Sequence, residues 1–160
     1  MKLVRKNTFE TNSSSTHAIV IPRKGAFIQD KIVFQPGEYG WEWDTYDFHN
    51  YLWTAIMQMS EYYDDCSPSV DEWKTKIKEV LFPYCKNIVF VEPSKDEYGF
   101  SNCYIDHCGE LIDLLNRLYE DENLLLDAIM NGVVYTGNDN SESELIVDVN
   151  DDDFYYEKGN

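Results

Sequence analysis

The sequence predicts an α+β domain, a small mixed or antiparallel sheet of about four to six strands packed with about four helices. Strand-length apolar runs and helix-period stripes both occur, and they do not alternate strictly, which argues against a doubly wound sheet. A chain of 160 residues that is 43% hydrophobic and 15% aromatic can bury one core without staples. No internal repeat or long linker divides it, so residues 1–160 read as one domain, with an acidic, mobile tail expected from about 148.

Taken in order, Lys2 to Glu10 is short and β-prone and ends in the polar run Thr11-Asn12-Ser13-Ser14-Ser15. Thr16 to Ile21 alternates as a strand, with His17, Ile19 and Ile21 on one face and Thr16, Ala18 and Val20 on the other. Lys31 to Gln35 is a second short strand, stopped by Pro36-Gly37. Asp44 to about Tyr63 reads as a helix, because Phe48, Leu52, Ile56 and Met59 recur at helical spacing. Ser69 with Glu72 three residues on is a capping box that opens a second helix, ended before Pro83. Asn87 to Val91 is an apolar run with the length of a central strand, and Phe100 to Ile105 reads as another strand. Glu110 to Tyr119 and Glu122 to Met130 carry leucine stripes, and Asn131-Gly132 offers a left-handed stop. Val133 to Tyr135 is a strand, Gly137 to Asn140 a turn, and the segment from Ser141 supplies one edge strand before Asp151-Asp152-Asp153.

Thirteen Lys and Arg against 30 Asp and Glu give a formal charge of -17. The charge is polarised, at +4 over residues 1–31 and -21 over the rest. Such a field repels phosphate backbones, so direct nucleic-acid binding is not expected. It speeds association with a basic protein surface, or else serves only solubility. There is no apolar run of membrane-spanning length, and Leu3-Val4 is too short for a signal-peptide apolar region. The four cysteines therefore read as reduced thiols in a cytoplasm.

The string Phe9-Glu10-Thr11-Asn12-Ser13-Ser14-Ser15-Thr16-His17 contains the run Thr11 to Ser15, which packs small donors and acceptors into one turn, able to satisfy its own backbone or to cradle an anion. The whole string resembles the opening of a family of mostly uncharacterised phage and Firmicute proteins with the pattern Phe-Glu-Thr-Asn-Ser-Ser-Ser-x-His. Tyr104-Ile105-Asp106-His107 and Gly137-Asn138-Asp139-Asn140 resemble two further segments of that family. The resemblance implies a phage or prophage origin and supplies no established reaction.

Cys103-x3-His107-Cys108, with His17 on a neighbouring strand, is the candidate zinc set, since zinc takes four thiolate or imidazole ligands in a tetrahedron. Buried free thiols beside a hydrogen-bonded histidine are the alternative. If Phe100 to His107 is extended, Cys103 and His107 share a face. No nucleophile-elbow Gly-x-Ser-x-Gly is present, which argues against a conventional serine hydrolase. Asp148 to Asp152 imitates the start of a calcium loop, but Asp153 stands where Gly is needed and Gly159 where Glu is needed. His49 reads as a structural polar contact.

Two functions follow. In the first, a phage-encoded acidic inhibitor binds a host defence or nucleic-acid-processing protein of the Cas nuclease kind and blocks DNA loading. Its docking carboxylates would be Glu61, Asp64, Asp65, Asp71, Glu72, Glu142, Glu144, Asp148, Asp151, Asp152, Asp153 and Glu157. In the second, an enzyme or small-ligand sensor uses Asn12, Ser13, Ser14, Ser15, His17, Asp106, His107 and Asp139, which would have to converge in space. A structural or accessory phage protein is the third possibility.

Overall fold

A computed structural model describes residues 2–4, 15–40, 42–63, 65–138 and 145–158. The architecture is α+β. In chain order the elements are β1 (Lys2–Val4), β2 (Ser15–Ile21), β3 (Lys31–Phe34), β4 (Glu38–Tyr39), β5 (Asp44–Asp47), α1 (Phe48–Tyr62), α2 (Val70–Leu81) and β6 (Asn87–Phe90). They continue as β7 (Tyr104–Ile105), a 3-10 turn (Cys108–Leu111), α3 (Ile112–Glu120), α4 (Glu122–Asn131), β8 (Val133–Asn138), β9 (Leu145–Val147) and β10 (Phe154–Lys158). The main sheet is antiparallel, in the order β10-β2-β8-β5. Three two-stranded pairs accompany it: β1 with β9, β3 with β6, and β4 with β7.

Strand β2 is the spine. Alternation separates its faces as expected, and both faces are covered. Ile19 and Ile21 enter the main core with α1 and α4, while Ala18 and Val20 pack with Leu145 and Val147 of β9. Helix α1 is buried along most of its length, with Tyr51, Leu52, Trp53 and Ala55 nearly inaccessible. The expected capping box is present: Ser69 Oγ accepts from Glu72 N–H at 3.2 Å, and Glu72 Oε2 accepts from Ser69 N–H at 2.7 Å.

Several expectations are corrected. Asp44 to Asp47 is the edge strand β5, paired with β8 from Asp44↔Thr136 to Asp47↔Val133, so α1 begins only where its apolar stripe begins, at Phe48. Asn87–Phe90 is not a central strand. Among the described residues it pairs only with β3, in parallel, and its apolar side chains serve packing, with Phe90 stacked on Phe34 and against Trp53. The ammonium groups of Lys74 and Lys78 lie over the Phe90 ring, each 5.8 Å from its centre. Of Phe100 to Ile105 only Tyr104–Ile105 is a strand, since the residues before it close a hairpin loop through the Lys95↔Ser101 bridge.

Gly132 ends α4 in an extended conformation (φ -66°, ψ 142°), not a left-handed one. Its requirement is space, because an added β-carbon would collide with the Ala128 carbonyl and stand 2.7 Å from Phe48 Cβ. The expected acidic tail contains β10, an aromatic-rich strand paired along β2. A turn leads into it, with Asn150 N–H donating to Asp153 Oδ2 at 2.9 Å.

Candidate functional site

The start of β2, the end of β10, the turn after β7 and the middle of α1 bring one polar cluster together. Ser15 and His17 share a face of β2 by two-residue periodicity, and Lys158 of β10 and Thr136 of β8 flank His17 in register. Ser15 donates twice to Asp106 Oδ2, from its backbone N–H at 3.1 Å and from its hydroxyl at 3.0 Å. Lys158 Nζ donates to the same Ser15 hydroxyl at 3.5 Å. Asp106 Oδ1 accepts from the Tyr104 hydroxyl at 2.9 Å. Ser15 and His17 are fully buried and Lys158 is 2% exposed, so an ammonium and a carboxylate meet on a serine inside the fold.

The geometry assigns the tautomer of His17. Its Nε2 lies 3.1 Å from the Gly40 carbonyl, which can only accept, so Nε2 carries the proton. Nδ1 lies 2.7 Å from the Tyr51 hydroxyl and therefore accepts from it in the neutral ring. Burial, and then the charge of Lys158, push the imidazole down to about 3. Burial holds Tyr51 well above the usual phenol range, so it keeps the proton it donates. The ring is a neutral two-point brace between β2, α1 and the loop at Gly40.

The sequence-predicted residues divide among several places. Ser15 and Asp106, 91 positions apart, are in direct contact, with His17 next to Ser15 along the face. Asn12, Ser13, Ser14 and Asp139 lie outside the described residues. Cys103 and His107 do not share a strand face, because His107 takes a left-handed conformation (φ 53°) that turns the chain into the 3-10 helix. His107 is exposed, with Nδ1 3.4 Å from Glu110 Oε1.

Cys103 and Cys108 are buried free thiols. Burial raises Cys103 and pushes Cys108 up to about 12, and the Cys108 thiol points to the Ala55 carbonyl at 3.9 Å. Among the described residues no group of three or more His, Cys, Asp or Glu side chains is arranged to hold a metal ion. Zinc held by His17, Cys103, His107 and Cys108 would need His17 to give up the hydrogen bond at whichever ring nitrogen bound the metal, to Tyr51 at Nδ1 or to Gly40 at Nε2.

The expected docking carboxylates sit in separate places. Glu61 and Asp65 lie at the end of α1, Asp71 and Glu72 at the start of α2, and Asp148, Asp151, Asp152 and Asp153 between β9 and β10. Asp64, Glu142 and Glu144 are outside the described residues. Some have structural work: Glu72 caps α2, Glu61 accepts from Ser101 N–H, Asp153 closes the turn, and Glu157 accepts from the Tyr155 hydroxyl.

Lys158, Tyr51 and Tyr104 were not anticipated in the cluster. The run Phe154-Tyr155-Tyr156 was a readable strand signal, but nothing local marks Lys158 as an inward residue. Clefts of about 290 and 400 Å³ lie elsewhere, the first lined by Lys31, Asp47 and His49, the second by Pro36, Glu38 and Cys103. In the first, His49 Nε2 donates to the Val33 carbonyl at 3.0 Å.

Comparison with known proteins finds no family model, no curated protein and no solved structure that matches the chain. Among the described residues no helix is long and apolar enough to cross a membrane.

Proposed function

We propose that this is an acidic binding protein that docks on a basic surface of a host defence or nucleic-acid-processing enzyme, of the Cas nuclease kind, and blocks its loading with DNA in the host cytoplasm. The observation that carries the reading is the charge left over by the fold. Ion pairs outside the buried cluster include Arg23–Asp127, Lys74–Glu92 and Lys76–Glu122, and 13 Lys and Arg cannot match 30 Asp and Glu. With a formal charge of -17, the outer surface carries a field that attracts basic grooves built for phosphate. The phage-like opening segment supports the choice of a host target. The test is binding of the purified protein to Cas nucleases at low and moderate salt, with DNA loading as the readout. Binding that weakens with salt and excludes DNA is expected, and absence of binding at both salts ends the reading.

A second reading, a small-ligand site, is favoured by the contact of Ser15 with Asp106 beside His17. Its measurement is thermal stabilisation by phosphate, nucleotides or sugars. A shift present in the natural protein and lost in Ser15→Ala supports it, and no shift with any of them removes it.

A further inference from the structure

The end of α1 and the segment 95–105 build one exposed face. Gln58 holds Ile105 at both sides of its backbone, donating from Nε2 to the carbonyl at 3.2 Å and accepting from the N–H at 2.7 Å. One turn later, Glu61 Oε1 accepts from Ser101 N–H at 3.0 Å. Residues 101–105 therefore lie along the last turns of α1. The loop before them is tied by Asp96, whose Oδ1 accepts from Tyr98 N–H and Phe100 N–H, both at 2.9 Å.

Five aromatic side chains on these segments, Tyr62, Tyr63, Tyr98, Phe100 and Tyr104, are between 45% and 77% exposed. Tyr62 is near enough to Tyr104 to oppose ionisation of its hydroxyl, after burial and Asp106. The Tyr63 hydroxyl stands 3.3 Å from where a β-carbon on Gly109 would lie. The same segments carry the carboxylates Glu61, Asp65, Asp96 and Glu97 and, among their described residues, one lysine, Lys95.

Clustered exposed aromatics on a protein surface mark a place where something binds. The chemistry here selects the occupant. Ring faces attract cations and stack guanidinium planes, while carboxylates take guanidinium groups in paired hydrogen bonds. A lysine ammonium, more strongly hydrated and not planar, gains less from the same surroundings. We propose that this face docks an arginine-bearing segment of a basic protein partner. The proposal rests on the docking function above and names its surface.

The experiment uses the full chain, with nona-arginine and nona-lysine peptides as probes and calorimetry at two salt concentrations. The arginine peptide is expected to bind more tightly than the lysine peptide. The double variant Tyr62→Ser/Phe100→Ser is expected to lose on the order of tenfold in arginine-peptide affinity. The variant Asp148→Asn/Asp151→Asn/Asp152→Asn is expected to lose only salt-sensitive affinity, equally for both peptides. Circular dichroism and thermal unfolding establish that the variants are folded, and both substituted rings are exposed.

Equal affinity for the two peptides, or no effect of the double variant, overturns the assignment, as does self-association that the double variant abolishes. A Cas nuclease assayed in parallel separates the two readings. Nuclease binding that ignores the double variant sinks the face and keeps the function. Peptide binding at the face without any nuclease binding keeps the face and sinks the function.

Discussion

Tyr104 and Asp106 are two residues apart and stand at the border of two regions that use polar and aromatic groups in opposite ways. Inward of Asp106, the Ser15–Lys158–His17 cluster is sealed, and each of its side chains has its hydrogen-bonding capacity directed at the fold itself. Outward of Tyr104, rings and carboxylates face water although similar rings fill the core. Charge inside the fold is costly unless partnered, so the inner region should govern stability. Charge and rings outside cost little and leave affinity to be gained from a partner, so the outer region should govern binding.

The largest expected effect breaks the inner region. Lys158→Ala or Asp106→Ala should cost about 3–5 kcal/mol in urea unfolding, because each leaves an opposite charge buried with less compensation. A loss below about 1 kcal/mol would mean that the cluster does not hold β10 to the sheet.

Next in size is a pH effect centred on His17. Its folded-state value of about 3 lies below the ordinary 6.5, so the unfolded chain binds a proton that the folded one refuses. Stability from this group is fully present above about 6.5 and falls as pH drops, by about 2–3 kcal/mol between pH 6.5 and 4.5. His17→Gln, less stable at neutral pH, should lack that decline, so its deficit relative to the natural protein should shrink on acidification. A deficit unchanged between pH 7 and 4.5 would contradict a buried neutral imidazole.

Smaller, and of opposite sign, is the effect expected at Thr16, on the other face of β2. Among the described residues its buried Oγ1 has no hydrogen-bond partner. Thr16→Val keeps the shape and removes an unsatisfied group, and should raise stability by about 1 kcal/mol in the same urea assay. The least effect on stability belongs to the outer region, where Tyr62→Ser/Phe100→Ser should change it by less than about 0.5 kcal/mol per residue while arginine-peptide affinity falls.

Much of the fold was legible because it is specified locally. The Ser69–Glu72 capping box, the stripe from Phe48 to Met59 and the alternation from Thr16 to Ile21 all reappear in place. The misreadings occurred where pairing overrode local signals. Asp44–Asp47 became a strand because β8 offers it an edge, and Asn87–Phe90 left the sheet because aromatic packing made it apolar without making it central. Of the site, Ser15, His17 and Asp106 could be singled out by residue type, whereas Tyr51 and Lys158 could not. A tyrosine in a core stripe and a lysine near the end of an acidic chain look ordinary until their neighbours are known.

The sequence by itself determined the fold class, the helices with their stops, and the excess of negative charge, since periodicity, capping and composition act over a few residues or over none. Tertiary structure decided which charges are buried, which protons His17 and Tyr51 hold, and that Asp106 meets Ser15 across 91 residues. Those are matters of distance and desolvation, and both arise only when strands from the two ends of the chain pair beside one helix.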